Sequence, residues 1–148
     1  MSIKNLLPGK IGLGGAPLGN MFRAIPEDEA HATVSEAWNL GVRYFDTAPL
    51  YGSGLSEIRM GEALSQYPRD EYVLSSKVGR IMLDEMEDPA KRDFGEKGGL
   101  FEHGLKNKIL NDYSADATLR SIEDSLKRLK TDRLDIVWIH DPAQDFYG

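Results

Sequence analysis

Four short apolar segments alternate along the chain with segments of helical periodicity, and this alternation restricts the possible folds more than any other feature. The apolar segments end near Gly14, Asp46, Lys77 and His140. A helical segment or the end of the chain follows each of them, which favours a parallel sheet with right-handed crossovers. The sequence therefore predicts an α/β fold of parallel β/α repeats, with about four units.

The helical segments carry their own start and stop signals. The first has Pro26 in its opening turn and Gly41 at its end, which are the residue types favoured at these positions. The segment "SEIRMGEALSQY" predicts a second helix, and Ser114 is a suitable N-cap for a third. Apolar residues recur on the third helix at helical spacing. We expect the following side chains to pack against the sheet: Trp38, Leu119, Ile122 and Leu129.

Residues 80–113 break the alternation, because charges, glycines and aromatic residues are mixed there without a clear period. Loops longer than about 15 residues in compact domains are commonly functional or disordered. We predict a long loop at about 80–113 that covers the functional face of the sheet and is either the least ordered part of the chain or contains only short local elements. Its aromatic and imidazole side chains are candidates for a substrate pocket or for exposed loop positions: Phe94, Phe101, His103 and Tyr113.

Composition narrows the functional classes. The chain has 148 residues, of which 41% are hydrophobic, and this is enough for one globular domain spanning 1–148. A net charge of -6 without a Lys/Arg cluster argues against a nucleic-acid partner. No apolar run approaches the roughly 18 residues of a membrane span, and the absence of cysteine fits a reducing compartment. We therefore expect a cytoplasmic protein without a membrane partner, and the three dispersed histidines predict no metal site.

Ionisable side chains stand at the ends of the last three apolar segments, and the carboxyl ends of strands are where catalytic residues gather in β/α-repeat folds. Asp46 is followed five positions later by Tyr51. A tyrosine has an unperturbed pKa of about 10, and a nearby ammonium stabilises its phenolate. Together with Lys77 and His140, these residues would suit the reduction of a carbonyl group. We predict that the four side chains converge, with the Lys77 nitrogen within hydrogen-bond reach of both Asp46 and Tyr51.

Each of these residues alone also has a simpler interpretation. Asp46 could be a turn carboxylate and Tyr51 a packing aromatic, whereas Lys77 could reach solvent and His140 could be a core histidine. The segment "GLGGAPLG" does not fit a dinucleotide-binding fingerprint, because Pro17 stands where a third glycine is needed. The catalytic hypothesis therefore depends on the four residues as a set.

The segments "YFDTAPLYG", "SSKVG" and "DIVWIHDP" together resemble the aldo-keto reductases. Within that family the chain is most similar to the aldose 1-dehydrogenase and pyridoxal 4-dehydrogenase subgroup. The resemblance implies the N-terminal half of a (β/α)8 TIM barrel and a catalytic tetrad of Asp46, Tyr51, Lys77 and His140. It also implies NADP or NAD as cofactor. Asp46 and the first loop, Gly15, Ala16 and Pro17, would contact the cofactor from this half.

Two functional hypotheses follow from the resemblance. The first is an NAD(P)-dependent oxidoreductase that interconverts an aldehyde or sugar hemiacetal and its alcohol or lactone, with a small-molecule carbonyl or sugar as substrate. The second is a catalytically incomplete half-barrel that functions only when paired with a second half or as a homo-oligomer. A complete barrel typically needs about 250 residues. We therefore expect the 148-residue chain alone neither to bind a nicotinamide cofactor at micromolar strength nor to turn over.

Overall fold

The computed structural model describes residues 5–86, 88, 100–101 and 103–142. Four strands within this part form a parallel sheet in the order β1-β2-β3-β6, and two more form a separate antiparallel pair. In chain order the elements are β1 (Leu13–Gly14), α1 (Glu27–Asn39), β2 (Tyr44–Asp46), α2 (Leu55–Leu64), β3 (Val73–Val78), β4 (Arg80–Met86), β5 (Asn107–Asn111), α3 (Ala115–Leu129) and β6 (Ile136–Ile139). The predicted α/β fold with parallel repeats is confirmed.

The strand ends fall where the sequence predicted them, to within one residue. β1 and β2 end at Gly14 and Asp46, whereas β3 and β6 end one residue away from Lys77 and His140. Alternate side chains of a strand point to opposite faces of a sheet. In β3, Leu74 belongs to the core beneath the helices, whereas Lys77 reaches the Asp46 carboxylate on the other face. Asp46 and Lys77 therefore lie together on the face away from the helices.

The hydrophobic core lies between this sheet and the three helices. Phe45 and Leu74 from the sheet pack with Val34 of α1 and Met60 of α2. All four side chains are at most 1% exposed. Burial of large apolar side chains stabilises a fold by roughly 1.5–3 kcal/mol each, so this layer fixes the sheet against the helices. No helix in the described part of the chain is long and apolar enough to span a membrane.

The predicted helix boundaries agree with the structure at the capping residues. Pro26 immediately precedes α1, and Gly41 has a φ of 88° just beyond its end, a conformation that glycine adopts without strain. The Ser114 hydroxyl accepts a hydrogen bond from the amide of Ala117 and so caps α3. The second predicted helix is shorter than expected, since α2 ends at Leu64.

One part of the predicted core is wrong. Leu119 is 62% exposed, whereas Leu129 and, at the margin, Trp38 contact the core as predicted. The inward face of α3 carries small residues, including Ala117 and Ser121. α3 also packs closely on α2, since a Cβ at Gly61 would lie 2.6 Å from backbone atoms of Leu129. Leu119 therefore lies on the exposed side of the helix, whereas Leu129 at its end is buried.

Residues 80–113, predicted as one long loop, contain the antiparallel strands β4 and β5. The expectation of a loop throughout is wrong at these two strands, which have seven and five residues. Met82 pairs with Ile109, and a register shift separates this pair from that of Met86 with Asn107. Strand partners more than 20 residues apart leave no local turn signal in the sequence. Residues 87, 89–99 and 102, including the pocket candidate Phe94, lie outside the described residues.

Candidate active site

Asp46 and Lys77 form an ion pair at the carboxyl ends of neighbouring strands. The Lys77 ammonium lies 2.6 Å from Oδ2 of Asp46 and donates a second hydrogen bond of 2.9 Å to the carbonyl of Thr47. The Lys77 and Asp46 side chains are 13% and 24% exposed. Partial burial reduces screening by solvent, so the carboxylate holds the ammonium directed into this edge of the sheet.

Tyr51 reaches the same edge from the turn between β2 and α2. Gly52, next to it, has a φ of 68°, and a Cβ at that position would lie 2.4 Å from the carbonyl oxygen of Gly19. Only glycine fits this contact, which therefore fixes the path of the turn. The Tyr51 ring packs against Phe101, with ring centroids 5.6 Å apart, so the described end of the 80–113 segment lies over the site.

Lys77 approaches Tyr51 through the aromatic ring. The ammonium nitrogen is 5.0 Å from the ring centroid, within the range of a cation–π contact. The predicted hydrogen bond between Lys77 and the Tyr51 hydroxyl is not among those formed by the described residues. The reason is that the ammonium is directed toward Asp46 and the carbonyl of Thr47.

His140 follows β6 and completes the group. Its ring centroid lies 5.7 Å from that of Tyr51, with the two planes nearly perpendicular at 85°. The backbone of His140 is fixed on both sides, because its amide donates to Val78 and its carbonyl accepts from the Tyr113 hydroxyl. Tyr113, a predicted pocket candidate, thus holds the backbone of His140 through its hydroxyl.

The electrostatic surroundings keep the His140 imidazole neutral near pH 7. Burial, followed by the positive charges of Arg80 and Lys77, lowers its pKa to about 4. Nδ1 is buried and has no hydrogen-bond partner among the described residues, whereas Nε2 lies 3.6 Å from Oδ2 of Asp141. A neutral imidazole has one N–H donor and one acceptor, so it can orient a polar oxygen without adding a charge.

The residues predicted to contact a cofactor from the first loop differ in exposure: Gly15 is buried, whereas Pro17 is exposed. Gly15 is buried against β2, where its amide donates to the carbonyl of Asp46 at 2.7 Å. Ala16 opens a single turn of 3-10 helix, and Pro17 in that turn is exposed. Gly14, which the prediction omitted, has no atom within 4 Å of a Cβ built on it and borders a cavity on the polar face of the sheet. It lies one residue before the predicted loop, at the end of β1.

That cavity has a volume of about 430 Å³ on the polar face of the sheet. Asp46 and Lys77 line it together with two aromatic residues that the sequence reasoning missed, Tyr44 and Trp138. Tyr44 lies two residues before Asp46, so the two-residue period of a strand would have placed it on the same face. The described residues contain no group of three or more His, Cys, Asp or Glu side chains arranged to hold a metal ion.

The parallel β/α repeats and the polar cluster at their carboxyl ends define a protein of the β/α-barrel class. The family model for the Aldo/keto reductase family matches residues 10–147. The chain belongs to this family, and its parallel sheet corresponds to the N-terminal half of the (β/α)8 barrel, as the sequence predicted.

Individual relatives agree with this assignment. The chain is 41% identical over 135 residues to D-threo-aldose 1-dehydrogenase from a Pseudomonas species, covering 90% of this chain and 40% of the relative. It is 37% identical to pyridoxal 4-dehydrogenase from Microbacterium luteolum, with coverages of 88% and 39%. A putative aldo-keto reductase structure from Pseudomonas aeruginosa is 35% identical, with a TM-score of 0.62 and coverages of 91% and 42%. The chain thus spans about 40% of the length of these curated relatives.

An aldo-keto reductase from Klebsiella pneumoniae, solved in complex with NADPH, also matches. It is 27% identical, with a TM-score of 0.59, and the match covers 87% of this chain and 34% of that one.

Proposed function

We propose that this chain provides the proton-transfer groups of an NAD(P)-dependent oxidoreductase. The reaction interconverts an aldehyde or sugar hemiacetal and the corresponding alcohol or lactone. The observation that carries the proposal is the juxtaposition of three pairs of side chains: Asp46 with Lys77 at 2.6 Å, Lys77 with the Tyr51 ring at 5.0 Å, and Tyr51 with His140 at 5.7 Å. The names of the dehydrogenase relatives support the substrate class.

Tyr51 is the proposed acid and base. In the reducing direction its hydroxyl gives a proton to the carbonyl oxygen, and in the oxidising direction its phenolate accepts one. The nearby Lys77 ammonium stabilises the negative charge that Tyr51 carries after it has given up the proton. Asp46 keeps this ammonium in place through the ion pair. General acid–base catalysis of this kind typically contributes about 10²–10⁴-fold to a rate.

His140 is the proposed orienting group. Because burial, Arg80 and Lys77 lower the pKa of His140 to about 4, the ring is neutral under ordinary assay conditions. It can donate one hydrogen bond to the substrate oxygen from a fixed position beside Tyr51. A neutral donor also leaves Tyr51 as the group that transfers the proton.

A nicotinamide cofactor, NADP or NAD, would supply or accept the hydride. The chain's own residues fit one end of such a molecule, because the cavity of about 430 Å³ opens between Gly14 and Lys77 and is bordered by the Asp46 carboxylate. Volumes of roughly 300–1,000 Å³ are usual for small-molecule sites. Asp46 and the first loop, from Gly15 to Pro17, would contact the cofactor from this side. The NADPH complex of the relative from Klebsiella pneumoniae supports this choice of cofactor.

A specific observation favours a second element of the proposal, namely that the site works only when further strands complete the sheet. Val137, Trp138 and Ile139 of the edge strand β6 are 38%, 39% and 62% exposed. Edge strands with exposed apolar side chains readily pair with other strands. A second half-barrel, whether covalently continuous or a separate chain, would cover this edge.

Tyr51→Phe, introduced into a longer chain that contains this one and completes the sheet, tests the proposed reaction. The substitution removes only the hydroxyl, so kcat should fall by at least about 100-fold, whereas cofactor affinity should stay within about twofold of the wild type because the hydroxyl acts on the substrate oxygen. Turnover of a sugar or aldehyde with NAD or NADP, followed by nicotinamide absorbance, gives kcat, and fluorescence titration gives the affinity.

Tyr67→Phe is the matched control, since Tyr67 stacks on Trp38 at the outer edge of the core. Its kinetic constants should equal those of the wild type. Retention of more than a tenth of the wild-type kcat by Tyr51→Phe would refute the assignment of Tyr51 as the acid and base.

A further inference from the structure

A continuous series of hydrogen bonds crosses the polar face of the sheet and ends at Asp46. The indole nitrogen of Trp138 lies 3.3 Å from the Tyr44 hydroxyl, which in turn lies 3.0 Å from Oγ of Ser75. The Ser75 hydroxyl donates to Oδ1 of Asp46 at 2.5 Å. The series thus links side chains of β6, β2 and β3, and Asp46 of β2 is paired in register with Ser75 of β3.

Donor chemistry gives this series a single direction. An indole N–H can only donate, so the Tyr44 hydroxyl accepts from Trp138. An ionised carboxylate can only accept, so the Ser75 hydroxyl donates the hydrogen bond to Asp46. The remaining contact is therefore a hydrogen bond donated by Tyr44 to Ser75, and every donor in the series points toward Asp46. Hydrogen bonds aligned in this way strengthen one another.

Both oxygens of the Asp46 carboxylate are held. Oδ1 accepts from Ser75 and Oδ2 accepts from Lys77. Ser75 is 0% exposed, so water does not reach its side chain to replace this bond. The carboxylate is planar and rigid. The hydrogen bond that holds Oδ1 therefore also fixes the position of Oδ2, which accepts from the ammonium.

We propose that Ser75, supported by Tyr44, is a positioning residue of the site. It sets the orientation of the Asp46 carboxylate and, through it, the position of the Lys77 ammonium beside Tyr51. The effect on turnover rests on the proposed function, whereas the effect on the ammonium does not.

The neighbouring Ser76 provides a matched control. It too is 0% exposed and donates to a buried carboxylate, Oε1 of Glu57, at 2.6 Å. Its hydroxyl lies on the opposite face of β3 and does not contact Asp46. Ser75→Ala and Ser76→Ala therefore remove the same group from adjacent buried positions, and only the first affects the series that ends at Asp46.

The measurement is the exchange of the Lys77 ammonium protons with water, followed in ¹⁵N-lysine-labelled protein, with the signal assigned by its loss in Lys77→Arg. Ser75→Ala should accelerate this exchange by about tenfold, which corresponds to the loss of one hydrogen bond of about 1.4 kcal/mol. Ser75→Thr, which keeps a hydroxyl, should restore slow exchange. Ser76→Ala should stay within about twofold of the wild type, since it leaves the Asp46 contacts intact.

Unchanged exchange in Ser75→Ala, or equal acceleration in Ser76→Ala, would overturn the proposal. If Ser75→Ala does not fold, Tyr44→Phe is measured instead. It removes the hydrogen bond that Ser75 accepts and should accelerate exchange by a smaller factor; no acceleration would likewise overturn the proposal.

Kinetics separate this inference from the proposed reaction. In the longer chain with a completed sheet, Ser75→Ala should lower kcat by about tenfold with KM within about twofold, because it displaces a group that acts on the transition state. Faster ammonium exchange combined with full activity of Tyr51→Phe would leave the positioning role supported and the proposed function refuted.

Discussion

Replacing Arg128 by methionine should destabilise the protein by about 3–5 kcal/mol, because the Glu57 carboxylate would lose its cation while remaining buried. Glu57 is 0% exposed on α2, and its Oε2 lies 2.6 Å from Nε of Arg128 on α3, whose side chain is 10% exposed. Glu57 also accepts a hydrogen bond from Ser76. Since whole domains are stable by only about 5–15 kcal/mol, the loss is large enough to measure accurately.

The double variant Glu57→Met/Arg128→Met should cost less than Arg128→Met alone. Replacing both members of a buried ion pair by apolar residues removes the desolvated charge together with its partner, and such exchanges are frequently close to neutral. Arg23→Met is the control, because it breaks an exposed pair with Glu29 and should leave the unfolding midpoint unchanged.

Urea unfolding followed by circular dichroism, with the four members of a double-mutant cycle, measures the coupling between Glu57 and Arg128. A cost below about 1 kcal/mol for Arg128→Met would show that solvent screens the pair and that the reasoning from burial is wrong. A double variant less stable than Arg128→Met would contradict the argument from desolvation.

Two other predictions concern acid sensitivity and completeness of the sheet. The pKa of His140 falls from 6.5 to about 4 in the folded state, mainly through burial. The unfolded chain therefore binds more protons between these values, and stability is lost as the pH falls from about 6.5 to 4. Between pH 6.5 and 4 the free energy of unfolding of His140→Gln should therefore fall by about 1–2 kcal/mol less than that of the wild type, with allowance for solvent screening. Urea midpoints with the same pH dependence as the wild type would contradict this. If the edge strand β6 needs partners, fluorescence titration of the 148-residue chain alone should show no micromolar binding of NAD or NADP; tight binding would contradict that need.

The sequence predicted the repeat and the four strand-end residues because both depend on local pattern. An apolar run that stops at Asp46 or Lys77 places the polar side chain at the end of a strand, whatever the details of packing. The inward face of α3 could not be predicted in the same way. The periodicity identifies an apolar stripe containing Leu119, but which side of α3 is buried depends on the elements packed against it, among them α2 at Gly61.

The pairing of β4 with β5 was missed for a related reason. Arg80 pairs with Asn111, and the residues between them include those outside the described part of the chain. Periodicity reports how one segment faces its surroundings, and it carries little information about a partner 31 positions away. The hydrogen bond expected between Lys77 and the Tyr51 hydroxyl depended on distances of a few ångströms, which spacing along a sequence does not determine.

The adjacent serines of β3 show why the site can be perturbed in two separable ways. Ser75 and Ser76 are equally buried, yet they donate to carboxylates on opposite faces of the sheet, Asp46 on the polar face and Glu57 beneath the helices. The Glu57 network joins α2, α3 and β3, so its loss should lower the stability of the whole layer. The Asp46 network contacts Lys77 directly, so its loss should change the position of one ammonium more than the stability of the fold. We therefore expect Glu57 on α2 to affect mainly stability and Asp46 at the end of β2 to affect mainly the proposed proton transfer, even though a single strand contributes a serine to each.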